Sequence, residues 1–548
     1  MGGIFSKKKI KEKVKDTKVD RLVTLIVLDG FGVHPDAMGN AILASKTPFL
    51  DAAWTYGKST LIHAAGTDVG LPNEVVGNSE VGHLNMGAGQ VVYQSLPRIN
   101  EAIARHELEH NNVVSDMFKH IESHGSRLHL VGVLSSAGVH GHIKHLFSIL
   151  ELCKEHGVDP FIHIILDGRD TPPTEGFWYL NKLKKKMEEL GIGHIASMMG
   201  RFYGMDRDTR WERTKLAYDA MVGLSNSKFV DPIKALQESY TKDITDQFFL
   251  PSVAVDLRGK LIGKVQKNDA ILFWNFREDR ARQLTKVFVV KEWSHFTRRD
   301  FPENIHFVTM TGYEEGLPAK VIFPPNKVKM PLAEYLADNG INQLHVSETE
   351  KHMHVTYFFN GGAEKEHIGE DFFNIPSPRV NDYSMTPAMS AQIIRDETVK
   401  RIKENLRFNY GFILINFANP DMLGHTGNFR ATVRANEITD SCTADIARAT
   451  LDLGGAVIIT ADHGNCETMI NRITREVDVA HTNNPVPFII LESKEQIQGK
   501  DGRDAVKIGT GDSAKTTGIL ADVAPTVLGV MGVDLPGIMT GMNLDKVI

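Results

Sequence analysis

The sequence predicts an α/β protein, on three observations. From residue 21 onward, short apolar runs alternate with longer amphipathic stretches, the pattern of strands buried between helices. Polar residues gather just beyond those runs, at Asp29, His140, Asp170, Arg277, Asp421 and Asp462. The chain also has 548 residues, more than one ordinary core organises, so two domains or more are expected.

Taken in order, the runs read as buried strands: Leu22 to Leu28, Leu128 to Leu134, Phe161 to Leu166, Ala270 to Trp274, Phe412 to Phe417, Ala456 to Thr460 and Val486 to Leu491. Glu175 to Leu190 and Arg210 to Met221 read as helices. In doubly wound α/β sheets, ligands sit in the crevice outside the carboxyl ends of the strands. That rule divides the chain chemically. Histidine and aspartate dominate the two ends of the sequence, and arginine dominates the middle.

Composition excludes several classes. The apolar and charged fractions, 42% and 24%, are those of a soluble globular protein. No apolar run is long enough to span a bilayer, and no signal-peptide core is present. Cys153, Cys442 and Cys466 suit neither a disulfide framework nor a zinc spacing, which points to a reducing compartment, the cytoplasm. A net charge of −6 argues against nucleic acid, whose phosphates need a basic surface. A small anionic substrate stays compatible, because only the field of one cleft must be positive.

The first twenty residues differ from the rest. Met1-Gly2-Gly3-Ile4-Phe5-Ser6 fits the pattern for acylating Gly2 with myristate. Lys7, Lys8, Lys9, Lys11, Lys13, Lys15 and Lys18 follow, opposed by Glu12 and Asp16. One acyl chain beside a basic patch gives a weak membrane tether. The plainer reading is a solvated basic tail.

Asp421 and His425 stand four apart, on one face if the stretch is helical. Alone, such a pair is more often a surface or capping contact. The neighbours change this. The run Gly455 to Ala461 ends in Asp462-His463-Gly464-Asn465, Asp29-Gly30 ends the first run, and His481 precedes another. Carboxylate and imidazole without thiolate suit manganese, zinc or cobalt.

Gly77 to Gly89 contains Ser79 near the start of a short helix, where free N–H groups and the dipole suit a phosphoryl group. A neighbouring divalent ion would activate the hydroxyl. An ordinary N-cap serine is an equal alternative. The middle region supplies Asp167-Gly168-Arg169-Asp170, Gly200-Arg201, Met205-Asp206-Arg207-Asp208 and Asn275-Phe276-Arg277-Glu278-Asp279-Arg280. Guanidinium forks bind phosphate and carboxylate bidentately, while Arg210 and Arg213 read as solvated or internally paired. His140 suits a phosphoryl contact, and Asp170 suits handling a hydroxyl proton.

These segments, with Val27 to Gly32, Glu348 to Lys351, His354 to Thr356, Asn419 to Gly427, Thr460 to Glu467 and Ala480 to Pro487, resemble cofactor-independent phosphoglycerate mutase. The resemblance runs in order from about residue 21 to the C-terminus. It implies an alkaline-phosphatase-like metal-binding domain, residues 21–93 with 327–548, interrupted by an inserted substrate-binding α/β domain, residues 94–326, after the extension 1–20. It implies two divalent ions, Mn2+ first with Mg2+, Co2+ or Zn2+ as alternatives. One would be held by Asp421, His425 and His481, the other by Asp29, Ser79, Asp462 and His463. Ser79 would become phosphoserine while glycerate turns in its pocket, and Asp170 would serve as acid and base. His140, Arg169, Arg201, Arg207, Arg277, Arg280 and Lys351 match the family's substrate contacts, and Lys351 would offset charge on the transferring group. The implied enzyme isomerises 3-phosphoglycerate and 2-phosphoglycerate, excludes water by domain closure, and works as a monomer. Gln90, His352-Met353, Cys466 and Tyr383 to Met389 depart from the usual pattern without removing a named ligand. The rivals are a phosphatase or phosphomutase of the same superfamily acting on a sugar phosphate, and a tethered scaffold that has lost catalysis.

Overall fold

A computed structural model describes residues 21–325, 328–405, 409–498, 504–511 and 513–548. The basic extension and its acylation motif lie outside the described residues. The chain divides into two compact units, one formed by the described residues up to Gln94 and beyond residue 327, the other by Ser95–Pro325.

The first unit is built on a sheet of eight strands among the described residues. In chain order they are β1 Val23–Leu28, β2 Lys58–His63, β11 Asn342–Glu348, β12 Glu370–Ile375, β13 Tyr410–Phe417, β14 Ala456–Thr460, β15 Val486–Leu491 and β16 Thr516–Ile519. The spatial order is β12-β11-β13-β1-β14-β15-β2-β16. The five strands from β12 to β14 are parallel, whereas β15 is antiparallel to both β14 and β2. Strands β1, β13 and β14 are buried along their whole length. Helices cover both faces of a parallel sheet, so its strands read as unbroken apolar runs rather than alternating ones.

The register explains where chemistry collects. Leu28 pairs with Phe417, and Val27 with Thr460, so β13, β1 and β14 end together and release Asp421, Asp29 and Asp462 at one edge. Because β15 runs the other way, pairing Thr460 with Phe488, it begins at that edge, and His481 lies in the loop leading into it. Strand β11 ends at Glu348, three residues before Lys351.

The second unit has its own sheet of eight described strands, ordered β10-β9-β8-β3-β4-β5-β7-β6. They are β3 Leu128–Leu134, β4 Phe161–Leu166, β5 His194–Gly200, β6 Lys228–Phe229, β7 Ser252–Ala254, β8 Ala270–Phe273, β9 His306–Thr311 and β10 Lys320–Phe323. Chain order reverses at β3, whose neighbours are β4 and β8. The loops after β3, β4, β5 and β8 carry His140, Asp170, Arg201 and Arg277. Each strand expected from the sequence is present, with small shifts: the run at Ala270 stops at Phe273 and the run at Phe412 starts at Tyr410. The two expected helices begin one residue later, at Gly176 and Trp211, because Glu175 and Arg210 stand at the N-cap positions. Among the described residues, no helix is long and apolar enough to cross a membrane.

A buried polar chain crosses this second sheet. His129 Nε2–H donates to Asp269 at 3.1 Å, so His129 Nδ1 accepts from His163 Nε2–H at 2.9 Å, and His163 Nδ1 accepts from the Ser197 hydroxyl at 2.7 Å. A carboxylate at one end fixes both tautomers. Burial lowers the pKa of both imidazoles, well below the ordinary value for His163. A folded pKa below the unfolded one means that the unfolded chain takes up protons first as pH falls. The stabilisation is therefore full above the ordinary histidine pKa and is lost below it, by about 1.4 kcal/mol per imidazole for each pH unit. We expect urea midpoints to fall from about pH 7.5 to about pH 5.5, with a shallower slope in His163→Gln.

Candidate active site

In the first unit, Lys351 organises the edge of the sheet. A 3-10 turn, Thr349–Lys351, follows β11 and turns the side chain inward until it is almost wholly buried. Its ammonium donates to Asp29 Oδ1 at 2.6 Å, Ser79 Oγ at 2.7 Å and Asp421 Oδ2 at 2.7 Å, using all three protons. Burial alone would lower the Lys351 pKa, but Asp29, Asp421 and Asp462 outweigh it and hold the amine well above its usual range.

Ser79 is the first residue of the helix Ser79–Ala88. The N-cap is Asn78, whose side chain accepts from Val81 N–H at 3.0 Å, so the hydroxyl of Ser79 is left for other contacts. It donates to Asp29 Oδ1 at 3.1 Å and lies 3.0 Å from His463 Nε2. Gly77 lets this helix start come close: a Cβ there would lie 2.2 Å from the Ala64 carbonyl oxygen.

Two ligand groups stand at this edge. Asp421, His425 and His481 form one, and Asp29, Asp462 and His463 the other, with candidate donor atoms of each within 4.8 Å of one another. His425 Nδ1–H donates to the Val479 carbonyl at 2.8 Å and His481 Nδ1–H to the Gly77 carbonyl at 2.8 Å. Both Nε2 atoms therefore face inward, 3.0 Å apart. Two imidazole lone pairs brought together in this way, beside Asp421 at 3.3 and 3.4 Å, are the usual arrangement of metal-ligating histidines whose other nitrogen is held by a carbonyl. Asp462 Oδ2 is buried and makes no hydrogen bond.

Charge supports the same reading. Asp29, Asp421 and Asp462 are all buried, and Lys351 offsets only one of them. Burial would lower His463, yet Asp462, Asp29 and Asp421 push its pKa up to about 10. Burial would raise Asp462, yet His463, His83 and Lys351 hold its carboxyl well below the usual range. A site this electronegative gathers cations. The residues thus fit two divalent ions, with oxygen and nitrogen donors and no thiolate.

The second unit gathers the arginine loops. Arg201, buried, donates through Nη1 to Asp167 at 2.5 Å and to Asp170 at 2.6 Å, which fixes the Asp170 carboxylate. Arg207 pairs with Asp279 at 2.8 Å, and Arg277 approaches it at 3.7 Å. Burial lowers the Arg280 pKa, and the charges of Arg201, Arg207 and Arg169 add to the effect, so the cations are crowded. Burial and then Arg201 push His140 down to about 4, leaving a neutral imidazole whose buried Nδ1 makes no hydrogen bond. Arg210 and Arg213 instead pair with Asp206 and Asp208, the second of the two readings open from the sequence.

A family model described as the BPG-independent PGAM N-terminus matches residues 99–315. A 2,3-bisphosphoglycerate-independent phosphoglycerate mutase of Thermomicrobium roseum is 44% identical over 525 residues, 95% of this chain and 98% of its own. The chain belongs to the 2,3-bisphosphoglycerate-independent phosphoglycerate mutase family. A relative of that name from Methanococcoides burtonii is 43% identical over 529 residues, 95% of this chain and 98% of its own. A solved Leishmania mexicana phosphoglycerate mutase, at low cobalt concentration, is 31% identical with a TM-score of 0.56, covering 96% of this chain and 99% of its own. Members of the family interconvert 3-phosphoglycerate and 2-phosphoglycerate, so the chain is an isomerase of glycolysis.

Several supporting residues carry no role in the sequence reading. Asn416 donates to Asp29 Oδ2 at 2.8 Å and to His83 Nε2 at 3.1 Å, leaving His83 Nδ1–H for the Ser79 carbonyl at 2.9 Å. The spacing of His83, one helical turn after Ser79, was the available signal. Glu467, buried, accepts from Gly32 N–H at 3.2 Å, Asn465 N–H at 2.8 Å, Asn484 at 2.8 Å and the Thr482 hydroxyl. One carboxylate thus ties together the loops after Asp29, His463 and His481. Glu467→Ala strands those donors in the interior, and we expect a loss of about 3 kcal/mol or more in urea unfolding, with weaker metal retention in the purified protein.

Proposed function

We propose that this chain interconverts 3-phosphoglycerate and 2-phosphoglycerate by placing the phosphoryl group on Ser79 and returning it to the other glycerate oxygen. The observation that carries the reading is the Ser79 hydroxyl, held by the Lys351 ammonium and Asp29 beside His463, at the edge where two groups of residues could hold metal ions. A serine hydroxyl is a weak nucleophile until its ionised form is stabilised. Lys351 supplies that stabilisation from 2.7 Å, inside a buried site where charge interactions are strong.

Asp421, His425 and His481 would hold one divalent ion, and Asp29, Ser79, Asp462 and His463 the other. The donor set favours Mn2+, with Mg2+, Co2+ or Zn2+ as alternatives. Such ions polarise phosphoryl oxygens and stabilise oxyanions on both sides of an in-line displacement.

The second unit supplies the remaining roles. Arg169, Arg207, Arg277 and Arg280 grip the carboxylate and phosphate of the substrate, while neutral His140 offers a hydrogen bond to the phosphoryl group. Asp170, aligned by Arg201 at 2.6 Å, protonates the glycerate oxygen that leaves phosphorus and takes the proton from the oxygen that attacks it. Each transfer inverts phosphorus, so two transfers restore it, as an isomerisation through one serine requires. We place the enzyme in the cytoplasm as a monomer, with Gly2 and Lys7 to Lys18 as a weak tether where the acyl group is added.

Purified protein should convert 3-phosphoglycerate to 2-phosphoglycerate without added 2,3-bisphosphoglycerate. Chelation should abolish turnover and manganese should restore it. Ser79→Ala should reduce kcat by about a thousandfold or more. Turnover that required the bisphosphate, or that survived in Ser79→Ala, would contradict the serine route. Phosphate release from sugar phosphates without isomerisation would favour a phosphatase.

A further inference from the structure

A short turn with one buried carboxylate packs against the segments that carry Arg169, Asp170 and Arg201. It spans Asp246–Phe248, and Asp246 is wholly inaccessible to solvent. Asp246 Oδ2 accepts from Gly176 N–H at 2.7 Å, and Oδ1 accepts from the Tyr240 hydroxyl at 2.5 Å. The backbone N–H of Asp246 donates to the Pro173 carbonyl at 3.0 Å, and Gly200 N–H donates to the Phe249 carbonyl at 2.8 Å. The loop after β4 and the end of β5 are thereby fastened to the same turn.

The approach leaves no room for a side chain. A Cβ at Gly168 would lie 2.8 Å from Asp246 Cβ, one at Gly176 2.6 Å from Asp246 Oδ1, and one at Gly200 2.2 Å from the Gln247 carbonyl oxygen. Gly168 directly precedes Arg169 and Asp170, and Gly200 precedes Arg201. The ion pairs joining Arg201 to Asp167 and Asp170 span the two fastened segments, so their geometry depends on the turn. Burial pushes the Asp246 carboxyl up to about 6.

We propose that Asp246, with Tyr240, is a positioning residue for the mutase reaction, setting the Arg169–Asp170 loop against Arg201 so that glycerate is retained while Ser79 carries the phosphoryl group. The inference rests on the phosphoserine reading above. Its consequence is a partition. When the loop is loosened, the phosphoryl group still reaches Ser79, but glycerate is held poorly and water competes for phosphorus. Water oxygen then bonds to phosphorus, the Oγ–P bond breaks, the serine oxygen recovers a proton, and inorganic phosphate leaves.

The test compares the manganese-loaded full chain with Asp246→Ala, Asp246→Asn and Tyr240→Phe, measuring phosphate released per 2-phosphoglycerate formed, together with KM and kcat. In Asp246→Ala and Tyr240→Phe we expect that ratio and KM to rise on the order of tenfold, since small misplacements of a positioned group are costly in rate. Asp246→Asn keeps an acceptor for Gly176 and should fall between them and the parent. A purely structural role would lower the melting temperature and leave the ratio and KM within about twofold of the parent, which would overturn the proposal. Should Asp246→Ala fail to fold, Tyr240→Phe decides. A parent chain that releases phosphate but never isomerises would overturn the underlying mutase reading instead.

Discussion

The chemistry of the first unit depends on one ammonium shared three ways. Lys351 holds two buried carboxylates and the Ser79 hydroxyl within 2.7 Å. Asp29 and Asp421 both accept from this one ammonium, which offsets the repulsion between like charges in a poorly solvated interior. The lysine resolves that conflict for one charge only. The remaining excess is visible in His463, which is drawn up to about 10 although burial opposes it. The same ammonium also holds the serine oxygen, 2.7 Å away, beside the residues that could hold divalent cations.

Topology brings these groups together cheaply. Three adjacent parallel strands end in register, and each needs only a short loop to deliver one carboxylate. The antiparallel strand β15 adds a loop that starts at the same edge and carries His481. The second unit repeats the device with a different residue type. Its chain reverses order at β3, and the loops on either side carry His140, Asp170, Arg201 and Arg277. Fixed strands thus set the positions, and the loops decide whether a unit gathers carboxylates or guanidinium groups.

Much of this was legible in the sequence, for physical reasons. Strands β1, β13 and β14 are buried on both faces, so they appear as unbroken apolar runs, and the polar residues just past them mark the crevice. Strands β5, β9 and β11 were not legible. Polar side chains interrupt their apolar pattern: His194 pairs with Asp159 at the exposed start of β5, while inside the strands Ser197 finds a buried partner in His163 and His345 in the Val355 carbonyl. The capping role at the Ser79 helix falls to Asn78 rather than to the serine, which frees the hydroxyl. The supporting roles of Asn416, Glu467 and Asp246 could not be read locally. Each is defined by partners far away in the chain, as Glu467 is by Gly32, and only the folded arrangement brings them together.

Acid-quenched mass spectrometry tests the central assignment most directly. Manganese-loaded protein would be mixed with 3-phosphoglycerate, quenched within a turnover and digested, and the mass of the peptide carrying Ser79 measured. We expect the mass of one phosphoryl group on Ser79, absent without substrate. A peptide that stayed unmodified through productive turnover, or a phosphoryl group found on another residue, would contradict the roles of Ser79 as nucleophile and Lys351 as its electrostatic partner.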